Sequence, residues 1–444
     1  MRMGELERAI GVRQRVAVVG SGIAGMASAW LLAERHAVTL FEAERQLGGH
    51  THTVEIELEG QRHPVDTGFL VFNRRTYPHL CALFVHLGVE AVESEMSFAV
   101  SLGEPDVEWS GTNLATLFAQ KRNLLQPQFL GMVRDLLRFN REATALARAG
   151  RVPALSLGEY LLAGGYGAAF RDWYLLPMAA AIWSCPAGAM LQYPLETFLR
   201  FCHNHGLLQI FDRPRWLTVA GGGRRYVEKM AAQIPDVRRA TPVRAVDRQA
   251  DGVWITTDGG HERFDQVVFA GHSDQTLALL GSGASAAERV VLGAIRYQPN
   301  IAYLHTDAGL LPRRRAVWSA WNYFGGAGDG ADRPVAVSYL INRLQPLPFT
   351  QPVVVTLNPH QPPAEEAVLG RYEYAHPVFD QAAIDAQARL PELQGQQRSW
   401  FAGAWTGYGF HEDGLRSALA VAAALGVTAP WQVSDRATAV EAAA

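Results

Sequence analysis

Six residues near the start of the chain have the types and spacing that hold a phosphate group. The segment from Gly20 to Gly25 reads GSGIAG, with glycine at its first, third and sixth positions. The first glycine permits a tight turn, the second lets the backbone approach a pyrophosphate, and the third lets a helix pack closely on a strand. Glu42 follows about 20 residues later, where a carboxylate accepts hydrogen bonds from a ribose. The spacing therefore predicts a dinucleotide site.

A second group of reactive side chains lies near the other end of the chain, in a glycine-rich segment. Tyr408, His411 and Glu412 precede a predicted helix that begins near Gly414. Histidine titrates close to neutral pH, so His411 is a candidate proton acceptor. The N-terminus of the helix would stabilise a negative charge that lies close to it. The alternatives are that His411 binds the cofactor or makes a structural hydrogen bond with Glu412 or Asp413.

The residues around the first glycine segment predict the elements that must position it. Val16–Val19 is an apolar run rich in β-branched residues, which predicts a strand. Met26–Glu34 has a helix-forming composition, and Ala37–Phe41 reads as a second strand. The glycines thus lie in the turn between a strand and a helix, which is the context that the dinucleotide pattern requires.

The rest of the chain predicts a mostly helical region from about residue 77 to residue 208 and strand-rich regions after it. A hairpin interrupts the helices, with Met96–Ser101 paired to Val107–Ser110 across a turn. Short strands return at residues 243–246, 253–257 and 266–270, with turns between them, and a strand-rich stretch runs from residue 301 to residue 357. No repeat or low-complexity linker separates these regions. We therefore predict domains that are interleaved along the chain.

The composition excludes several classes of protein. The 444 residues carry a formal net charge of −3, and 48% of them are hydrophobic, which excludes a mainly disordered chain and argues against a nucleic-acid-binding protein. Only Cys81, Cys185 and Cys202 are cysteine, and their number and spacing suit neither a set of disulfides nor a metal site. We therefore expect a reduced, cytoplasmic environment, no bound metal and no nucleic-acid partner.

The most apolar segment, residues 175–191, is interrupted by two prolines and a glycine. No run of 18 apolar residues occurs, and the polar N-terminal residues lack the apolar stretch of a signal peptide. We expect residues 175–191 to form a buried helical core, with the lining of a lipid-accepting cavity or a membrane-touching surface as alternatives. The expected location is the cytoplasm, with peripheral contact at the inner face of the membrane as the second expectation.

Residues 42–53, which read EAERQLGGHTHT, extend the glycine pattern into a longer motif. They resemble the second fingerprint of the flavin-containing amine oxidase and phytoene desaturase superfamily, in which an acid precedes Gly-Gly-Arg or Gly-Gly-His. His50 stands where many members have arginine, and Ala404 stands where the family's Ala-Gly-Glu step has glutamate. The resemblance implies that FAD is bound by Gly20, Gly22, Ile23, Ala24, Gly25, Glu42, Ala43, Gly48, Gly49, His50, Thr51, Val243, Ala270, Gly403, Ala404, Asp413, Gly414 and Leu415.

The same resemblance implies an α/β fold in which a Rossmann-like FAD-binding domain of the GR2, amine-oxidase type is interleaved with an α+β substrate domain. We place the discontinuous FAD-binding domain at residues 14–76, 209–275 and 396–428. The substrate-binding domain, a helical insert plus a sheet, takes residues 77–208 and 276–395. Residues 429–444 form an alanine-rich tail.

Five further segments resemble one bacterial subgroup of this superfamily. They are residues 65–78 (VDTGFLVFNRRTYP), 300–307 (NIAYLHTD), 318–323 (WSAWNY), 376–377 (HP) and 407–417 (GYGFHEDGLRS). Members of the subgroup are NAD/FAD-binding oxidoreductases that are associated with cyclopropane-fatty-acid-synthase-type methyltransferases. The resemblance implies a lipid or fatty acyl substrate and a lipid methyltransferase as a partner.

Lysine is scarce in this chain, and its positions bear on the reaction. Only Lys121 and Lys229 are lysine. Many amine oxidases place a lysine near the flavin on a strand that corresponds by order to residues 297–305, which contain none. Amine oxidation is therefore disfavoured, although an aromatic cage for an amine can be drawn from Trp321, Tyr323 and Tyr408.

We therefore predict an FAD-dependent oxidoreductase that introduces or shifts a C=C bond in an unsaturated fatty acyl chain, free or on a phospholipid, by hydride transfer to flavin N5. Tyr408, His411 and Glu412 are the predicted catalytic residues, because the superfamily brings this segment against the flavin. The alternatives are a flavin amine oxidase, a carotenoid-type desaturase and an FAD-bound accessory protein to a lipid methyltransferase. The expected substrate groove takes apolar residues from the helical insert: Leu161, Leu162, Trp173, Tyr174, Met178, Ile182, Trp183 and Met190.

Overall fold

The computed structural model describes residues 12–210, 213–325, 335–431 and 433. Its strands are numbered here in chain order. They are Arg15–Val19 (β1), Ala37–Phe41 (β2), Thr53–Leu58 (β3), Gln61–Asp66 (β4), Phe72–Asn73 (β5), Ala91–Ser94 (β6), Phe98–Leu102 (β7), Val107–Ser110 (β8), Trp216–Val219 (β9), Asp236–Arg238 (β10), Val243–Gln249 (β11), Gly252–Thr257 (β12), Gly260–Phe264 (β13), Gln266–Phe269 (β14), Arg296–His305 (β15), Trp321–Gly325 (β16), Ala336–Leu340 (β17), Val354–Leu357 (β18), Val368–Val378 (β19) and Ser399–Phe401 (β20).

The α-helices of the described residues are numbered in the same way. They are Ile23–Leu32 (α1), Pro78–Leu87 (α2), Leu114–Leu117 (α3), Pro127–Ala149 (α4), Leu157–Ala163 (α5), Ala168–Phe170 (α6), Leu176–Trp183 (α7), Ala187–Leu191 (α8), Leu195–Asn204 (α9), Arg224–Ala231 (α10), Ser273–Leu280 (α11), Ala286–Gly293 (α12), Ile341–Leu344 (α13), Gln381–Arg389 (α14) and His411–Ala424 (α15).

A five-stranded sheet in the order β10-β2-β1-β14-β20 carries the glycine-rich turn. β1 pairs in parallel with β2 on one side and with β14 on the other. Val16, Ala17 and Val18 are fully buried, as is usual for a parallel sheet that is covered on both faces. The predicted strand–turn–helix–strand unit is confirmed as β1, α1 and β2, and α1 begins at Ile23, directly after Gly22.

A seven-stranded sheet in the order β19-β15-β18-β17-β16-β7-β8 forms the second layer of the molecule. β7 and β8 pair antiparallel and confirm the predicted hairpin. β16 pairs in parallel with β7, which joins strands from two distant regions of the chain in one sheet. The two segments that we predicted as the substrate domain therefore share this sheet, as an interleaved arrangement requires.

A three-stranded sheet contains a strand that we did not predict. β11 and β12 correspond to predicted strands, and β13 pairs antiparallel with β12 beyond them. β13 reads GHERF, with an exposed histidine and a buried phenylalanine. Its polar residues hide the alternation by which a half-buried strand is recognised.

The helical insert between β8 and β9 has its own core. Leu175 and Met190 are fully buried there, so residues 175–191 form a helical core as expected. The alternative of a membrane-touching surface is wrong for most of this segment, because α7 and α8 pack inside the insert. Within the described parts of the chain, no helix combines the length and the apolar character that crossing a bilayer requires.

The packing of two helices differs from the predicted domain boundaries. α2, which we placed in the substrate domain, packs Leu80 and Leu83 into the core around α1 and the parallel sheet. α14 packs Ala383 and Ala386 into the core with β14 and β20. Helix packing depends on partners far along the chain, which composition alone does not reveal. The predicted tail, residues 429–444, lies outside the described residues except for 429–431 and 433.

Candidate functional site

A cavity of about 730 Å³ opens at the carboxyl ends of three strands of the parallel sheet. Val19, Phe41 and Phe269, the last residues of β1, β2 and β14, all line it. In α/β folds of this kind, ligands bind outside the carboxyl ends of the parallel strands. The cavity continues from there to the helical insert and to the seven-stranded sheet, so one space connects the glycine turn with both layers.

The glycine turn presents bare backbone to the cavity. A Cβ atom built at Gly22 would meet no atom within 4 Å, whereas one built at Gly25 would lie 1.8 Å from the carbonyl oxygen of Gly20. Gly22 therefore faces open space, and Gly25 serves the close packing of α1 on the turn. The N-terminus of α1 follows at Ile23, where unpaired N–H groups and the helix dipole favour an anion. This arrangement fits a pyrophosphate.

Glu42 is fixed at the end of β2 by donors from the turn. Its carboxylate accepts hydrogen bonds from the backbone N–H and the hydroxyl of Ser21, at 2.9 and 2.6 Å, and from the N–H of Glu44 at 2.9 Å. A carboxylate has about four acceptor positions, so capacity for a further donor is left. Glu42 also lines the cavity, which is where the prediction of a ribose partner requires it.

Histidines surround the cavity next to the glycine turn. Gly49 packs on Gly22, since a Cβ atom at Gly49 would lie 3.1 Å from the Cα atom of Gly22, and His50 follows directly. The His50 ring lies 5.2 Å from the ring of His376 and 6.4 Å from that of His272. Burial first, and then the neighbouring imidazoles, hold the pKa of His50 well below its usual value. All three rings line the cavity and are neutral at pH 7.

The charges at this cavity are unusual for a site that receives a pyrophosphate. Among the described residues that line it, none is lysine or arginine. The Nε2 atom of His50 is buried and has no hydrogen-bond partner among the described residues. Asn300 donates to Nδ1 of His376 at 2.8 Å, which leaves the proton of that neutral ring on Nε2. The imidazoles are therefore the side chains of the cavity wall that can become positive.

The residues predicted to bind FAD fall into two groups. Those that line the cavity are Gly20, Gly22, Ile23, Ala24, Glu42, Ala43, Gly48, Gly49, His50, Val243, Ala270, Gly403 and Ala404. Those that do not line it are Gly25, Thr51, Asp413, Gly414 and Leu415.

The residues of the second group lie behind the cavity wall and support it, and their roles as FAD contacts stay predictions. The side chain of Asp413 accepts from the N–H of Phe410 at the start of α15, at 2.9 Å. A Cβ atom at Gly414 would lie 2.8 Å from a methyl carbon of Ile23, so this glycine lets α15 approach the start of α1. Leu415 is fully buried in the core between them.

His411 lines the cavity and is held by two hydroxyl groups. Its Nε2 atom lies 2.9 Å from the hydroxyl oxygen of Thr51 and 3.2 Å from that of Tyr226, and these two oxygens lie 2.5 Å apart. The ring stacks on Phe69 at 3.7 Å between centroids. Burial lowers the pKa of His411 to about 3, so the ring is a weak proton acceptor at neutral pH. Thr51 thus positions His411 and does not line the cavity.

We expect His411 to remain neutral throughout the physiological range. With a pKa of about 3, the resonance of its C2 proton should not shift between about pH 5 and about pH 8. Proton NMR of the protein, with His411→Gln to assign the signal, measures this directly. A midpoint near the ordinary histidine value would contradict the buried, hydroxyl-bonded state.

The prediction that Glu412 is catalytic is wrong. Its carboxylate accepts from the backbone N–H groups of His79 and Leu80, at 2.8 and 3.0 Å, and it does not line the cavity. These N–H groups belong to the first turn of α2, where a helix leaves donors unpaired. Glu412 therefore fastens α15 to α2. The helix α15 also begins at His411, three residues earlier than we predicted.

Tyr408 lines the cavity, as its predicted role requires. Burial raises the pKa of its phenol to about 12, so the hydroxyl stays protonated. Its ring packs against Phe201 at 5.6 Å between centroids, and Phe201 also lines the cavity. Tyr408 therefore lies where α9 of the helical insert meets the segment before α15.

The part of the cavity next to the helical insert is lined by apolar and aromatic side chains. Of the residues that we predicted for a substrate groove, Ile182 and Trp183 line it. Leu161 and Met190 are buried in the core of the insert, and Leu162 is 84% exposed, so the prediction is wrong for them. Trp173, Tyr174 and Met178 are half-buried side chains packed on that core and do not line the cavity either. Apolar wall residues that we did not predict are Met96, Phe201, Leu207 and Trp216.

The two lysines lie away from the cavity. Lys229 donates to the carbonyl oxygens of Leu87 and Gly88 at the end of α2, and Lys121 is exposed on the short 3₁₀ helix Lys121–Leu125. β15, the strand on which many amine oxidases carry a lysine, has none. Of the proposed aromatic cage, Trp321 and Tyr408 line the cavity and Tyr323 does not.

Sequence reasoning missed several wall residues that come from distant strands. His272 follows β14 and Ala270, and His376 lies on β19. The His376-Pro377 pair was part of the subgroup resemblance, but nothing in the sequence places it beside His50. Tyr374, two residues before it, bonds His52 and Thr67 through its hydroxyl at 2.8 Å.

Comparison with known proteins agrees with this geometry. A family model described as flavin-containing amine oxidoreductase matches residues 23–278. The carotenoid phi-ring synthase of Streptomyces griseus is 30% identical over 346 residues, which covers 72% of this chain and 60% of that protein. The chain therefore spans less than two thirds of the length of this relative.

Solved structures share the fold at low sequence identity. A CLA-producing fatty acid isomerase from P. acnes superposes with a TM-score of 0.64 at 17% identity, covering 93% of this chain and 99% of that one. Cyclohexylamine oxidase from Brevibacterium oxydans gives a TM-score of 0.65 at 15% identity, covering 93% and 100%. The glycine turn, the fixed Glu42 and the cavity fit the cofactor of such enzymes. The chain belongs to the flavin-containing amine oxidoreductase family.

Proposed function

We propose that the protein is an FAD-dependent oxidoreductase that introduces or shifts a C=C bond in an unsaturated fatty acyl chain. The observation that carries the proposal is the single cavity that joins the glycine turn to an apolar, aromatic chamber without a lining lysine or arginine among the described residues. Such a chamber suits a chain of carbon atoms that offers no charge to pair. The cavity of about 730 Å³ would have to receive both the cofactor and the reacting part of the chain.

The side chains around the chamber exclude water and hold the chain in place. Ile182, Trp183 and Phe201 supply apolar surface from the helical insert, and Trp321 supplies it from the seven-stranded sheet. A dry environment keeps a chain carbon from exchanging protons with solvent during the reaction. The neutral imidazole of His411 stays in the wall and is fixed through Thr51 and Tyr226.

FAD supplies a hydride acceptor at N5. A shift of the double bond returns the hydride to the same chain at another carbon, so substrate and product have the same oxidation state. The introduction of a double bond removes two electrons and two protons from the chain, and a second substrate, dioxygen or a quinone, must then accept them. The two reactions are therefore distinguished by their need for an electron acceptor.

Comparison supports an unsaturated chain from two sides. The fatty acid isomerase shares the fold, although its 17% identity carries no more than the fold. The carotenoid phi-ring synthase is 30% identical, which favours an unsaturated isoprenoid chain as a second candidate. A fatty acyl chain and an isoprenoid chain are both apolar and can both contain C=C bonds. An amine is disfavoured because β15 has no lysine and the cage is incomplete at Tyr323.

The test is a panel of soluble substrates offered to the FAD-loaded protein without oxygen. Monounsaturated and diunsaturated fatty acids, short-chain phospholipids, isoprenoids and amines are compared, and products are identified by mass spectrometry and ultraviolet absorption. We expect a conjugated or dienoic acyl product, or bleaching of the flavin by an acyl chain. A reaction with an amine alone, or no reaction with any member while a methyltransferase partner copurifies, would overturn the proposal.

A variant that fills the chamber is expected to block this reaction. Ile182→Trp adds volume at the cavity wall and should lower the rate about tenfold or more, since overpacking of a filled site costs about 1–3 kcal/mol. FAD content should be unchanged because Ile182 lies in the helical insert, away from the glycine turn. Leu162→Trp, at an exposed position of the same insert, is the matched control and should leave the rate unchanged.

A further inference from the structure

The longest helix of the insert carries an exposed row of leucine and arginine side chains. Leu130, Arg134, Leu137, Arg141 and Arg148 are spaced so that they fall on one face of α4, and all five are exposed. Leu130 and Leu137 expose 44% and 50% of their surface. A helix that covers its apolar residues would bury leucines at this spacing, so the packing of the insert does not account for this face.

The turn that leads into α4 extends the same surface. Leu124 and Leu125, at the end of the 3₁₀ helix Lys121–Leu125, expose 51% and 87% of their surface. Lys121 and Arg122 precede them and are also exposed. Exposed leucines flanked by cations are therefore continuous from residue 121 into α4. We call residues 121–125 together with the exposed row of α4 the basic leucine surface.

The acidic groups near this surface leave it with an excess of positive charge. Asp135 is buried and lies 3.3 Å from Arg134, and Glu142 lies 3.9 Å from Arg141. Arg122 pairs with Asp106. Arg148 and Lys121 have no ion pair with a described residue within 4 Å. The exposed leucines thus lie among cationic side chains. A surface of this composition is complementary to a layer that has both anionic groups and apolar chains.

A groove on this surface is lined by a segment whose neighbouring residues line the cavity. Leu137, Arg141 and Arg148 line it on the side of α4, and Leu208 and Ile210 line it on the side of the segment after α9. His205 and Leu207, in the same segment, line the main cavity. One short stretch, residues 205–210, therefore separates the groove from the chamber that receives the substrate.

We propose that the basic leucine surface docks on a bilayer of anionic phospholipids and that acyl chains reach the cavity past residues 205–210. The leucines enter the boundary between headgroups and acyl chains, and the arginine stems lie along it while their guanidinium groups reach the phosphates. The docking proposal depends on the proposed function in one respect, which is that the cavity receives an apolar chain.

The experiment is vesicle flotation of the full-length, FAD-loaded protein. Vesicles of phosphatidylcholine alone are compared with vesicles that contain phosphatidylglycerol, at low and high salt. We expect binding to the anionic vesicles that weakens at high salt. Leu130→Ser with Leu137→Ser, and separately Arg141→Ser with Arg148→Ser, should each reduce the bound fraction about tenfold. Val290→Ser, at a 57% exposed position of α12, is the matched control and should bind normally.

Two results would overturn the docking. One is the absence of binding to any vesicle, and the other is binding that both double variants retain. Self-association that the double variants abolish, in a protein that ignores vesicles, would assign the surface to a second copy of the chain. Turnover of soluble short-chain substrates by the same variants is measured in parallel, so a failure of docking is distinguished from a failure of the proposed reaction.

Discussion

Gly22→Ala is expected to fold normally and to lose FAD, whereas Gly25→Ala is expected to fold poorly. A Cβ atom at Gly22 enters the open space at the N-terminus of α1, and the φ of −60° at this residue suits alanine. A Cβ atom at Gly25 would lie 1.8 Å from the oxygen and 2.8 Å from the carbonyl carbon of Gly20. Both of these are backbone atoms, so no side chain can move to relieve the contact.

The expected effects are large and of different kinds. Gly25→Ala should lower the free energy of unfolding by roughly 3–5 kcal/mol, because the helix must shift away from the turn. Gly22→Ala should weaken FAD binding roughly 100-fold, because the methyl group takes the place of a phosphate oxygen at the turn. Thermal unfolding of the apoproteins and the ratio of flavin to protein absorbance separate the two effects. A Gly22→Ala protein that keeps its full flavin content would contradict the placement of the pyrophosphate.

FAD is expected to bind more tightly as the pH falls. In the free protein, burial holds the pKa of His50 and His272 below the ordinary value and that of His376 at about 4, and neighbouring imidazoles lower it further at His50 and His376. These imidazoles are therefore neutral. A pyrophosphate beside them favours their charged forms and raises their pKa values. Binding of FAD therefore takes up protons, and affinity increases as the pH falls through the pKa values of the complex. The increase is about tenfold per pH unit for each proton taken up.

The other ionisable groups near the three histidine rings do not remove the pH dependence of FAD binding. His52 and His411 repel a proton on His50, and Asp274 attracts one on His272. Calorimetric titration of the apoprotein with FAD, between about pH 5.5 and about pH 8.5, measures the slope. His50→Arg should bind FAD more tightly at high pH with a smaller slope, and His261→Gln, at an exposed position of β13, is the control. An affinity that does not vary with pH would place the phosphates away from the histidines.

The parts of the fold that sequence predicts best are those made by neighbouring residues. β1, α1 and β2 follow one another within residues 15–41, and the hairpin of β7 and β8 closes across a short turn. Their patterns lie within windows that periodicity and turn residues define. β13 was missed because its polar residues conceal the alternation, and its strand is recognised only through its pairing with β12.

The site was less predictable because its walls come from separate segments. Glu412 was predicted to be catalytic because it is an acid next to a candidate base. Its hydrogen-bond partners are the N–H groups of His79 and Leu80, which lie more than 300 residues earlier in the chain. His50, His272 and His376 meet only after the loop that follows β2, the segment that follows β14 and the edge strand β19 have come together. Motif spacing locates the FAD site because the glycine turn is formed by residues that are neighbours in the sequence. The same spacing leaves the walls of the substrate chamber largely undetermined.

The interleaving of the chain has a consequence for the order in which the protein is made. β20, which completes the parallel sheet, and α15, which packs on α1, lie at residues 399–401 and 411–424. The glycine turn leaves the ribosome before Gly403, Ala404 and His411 of the same cavity, which lie more than 370 residues later in the chain. The cavity of a nascent chain therefore stays incomplete until the segment around His411 has been synthesised. Cofactor capture is delayed until that point, and a chain that stops before this segment has no finished site in which to keep a flavin.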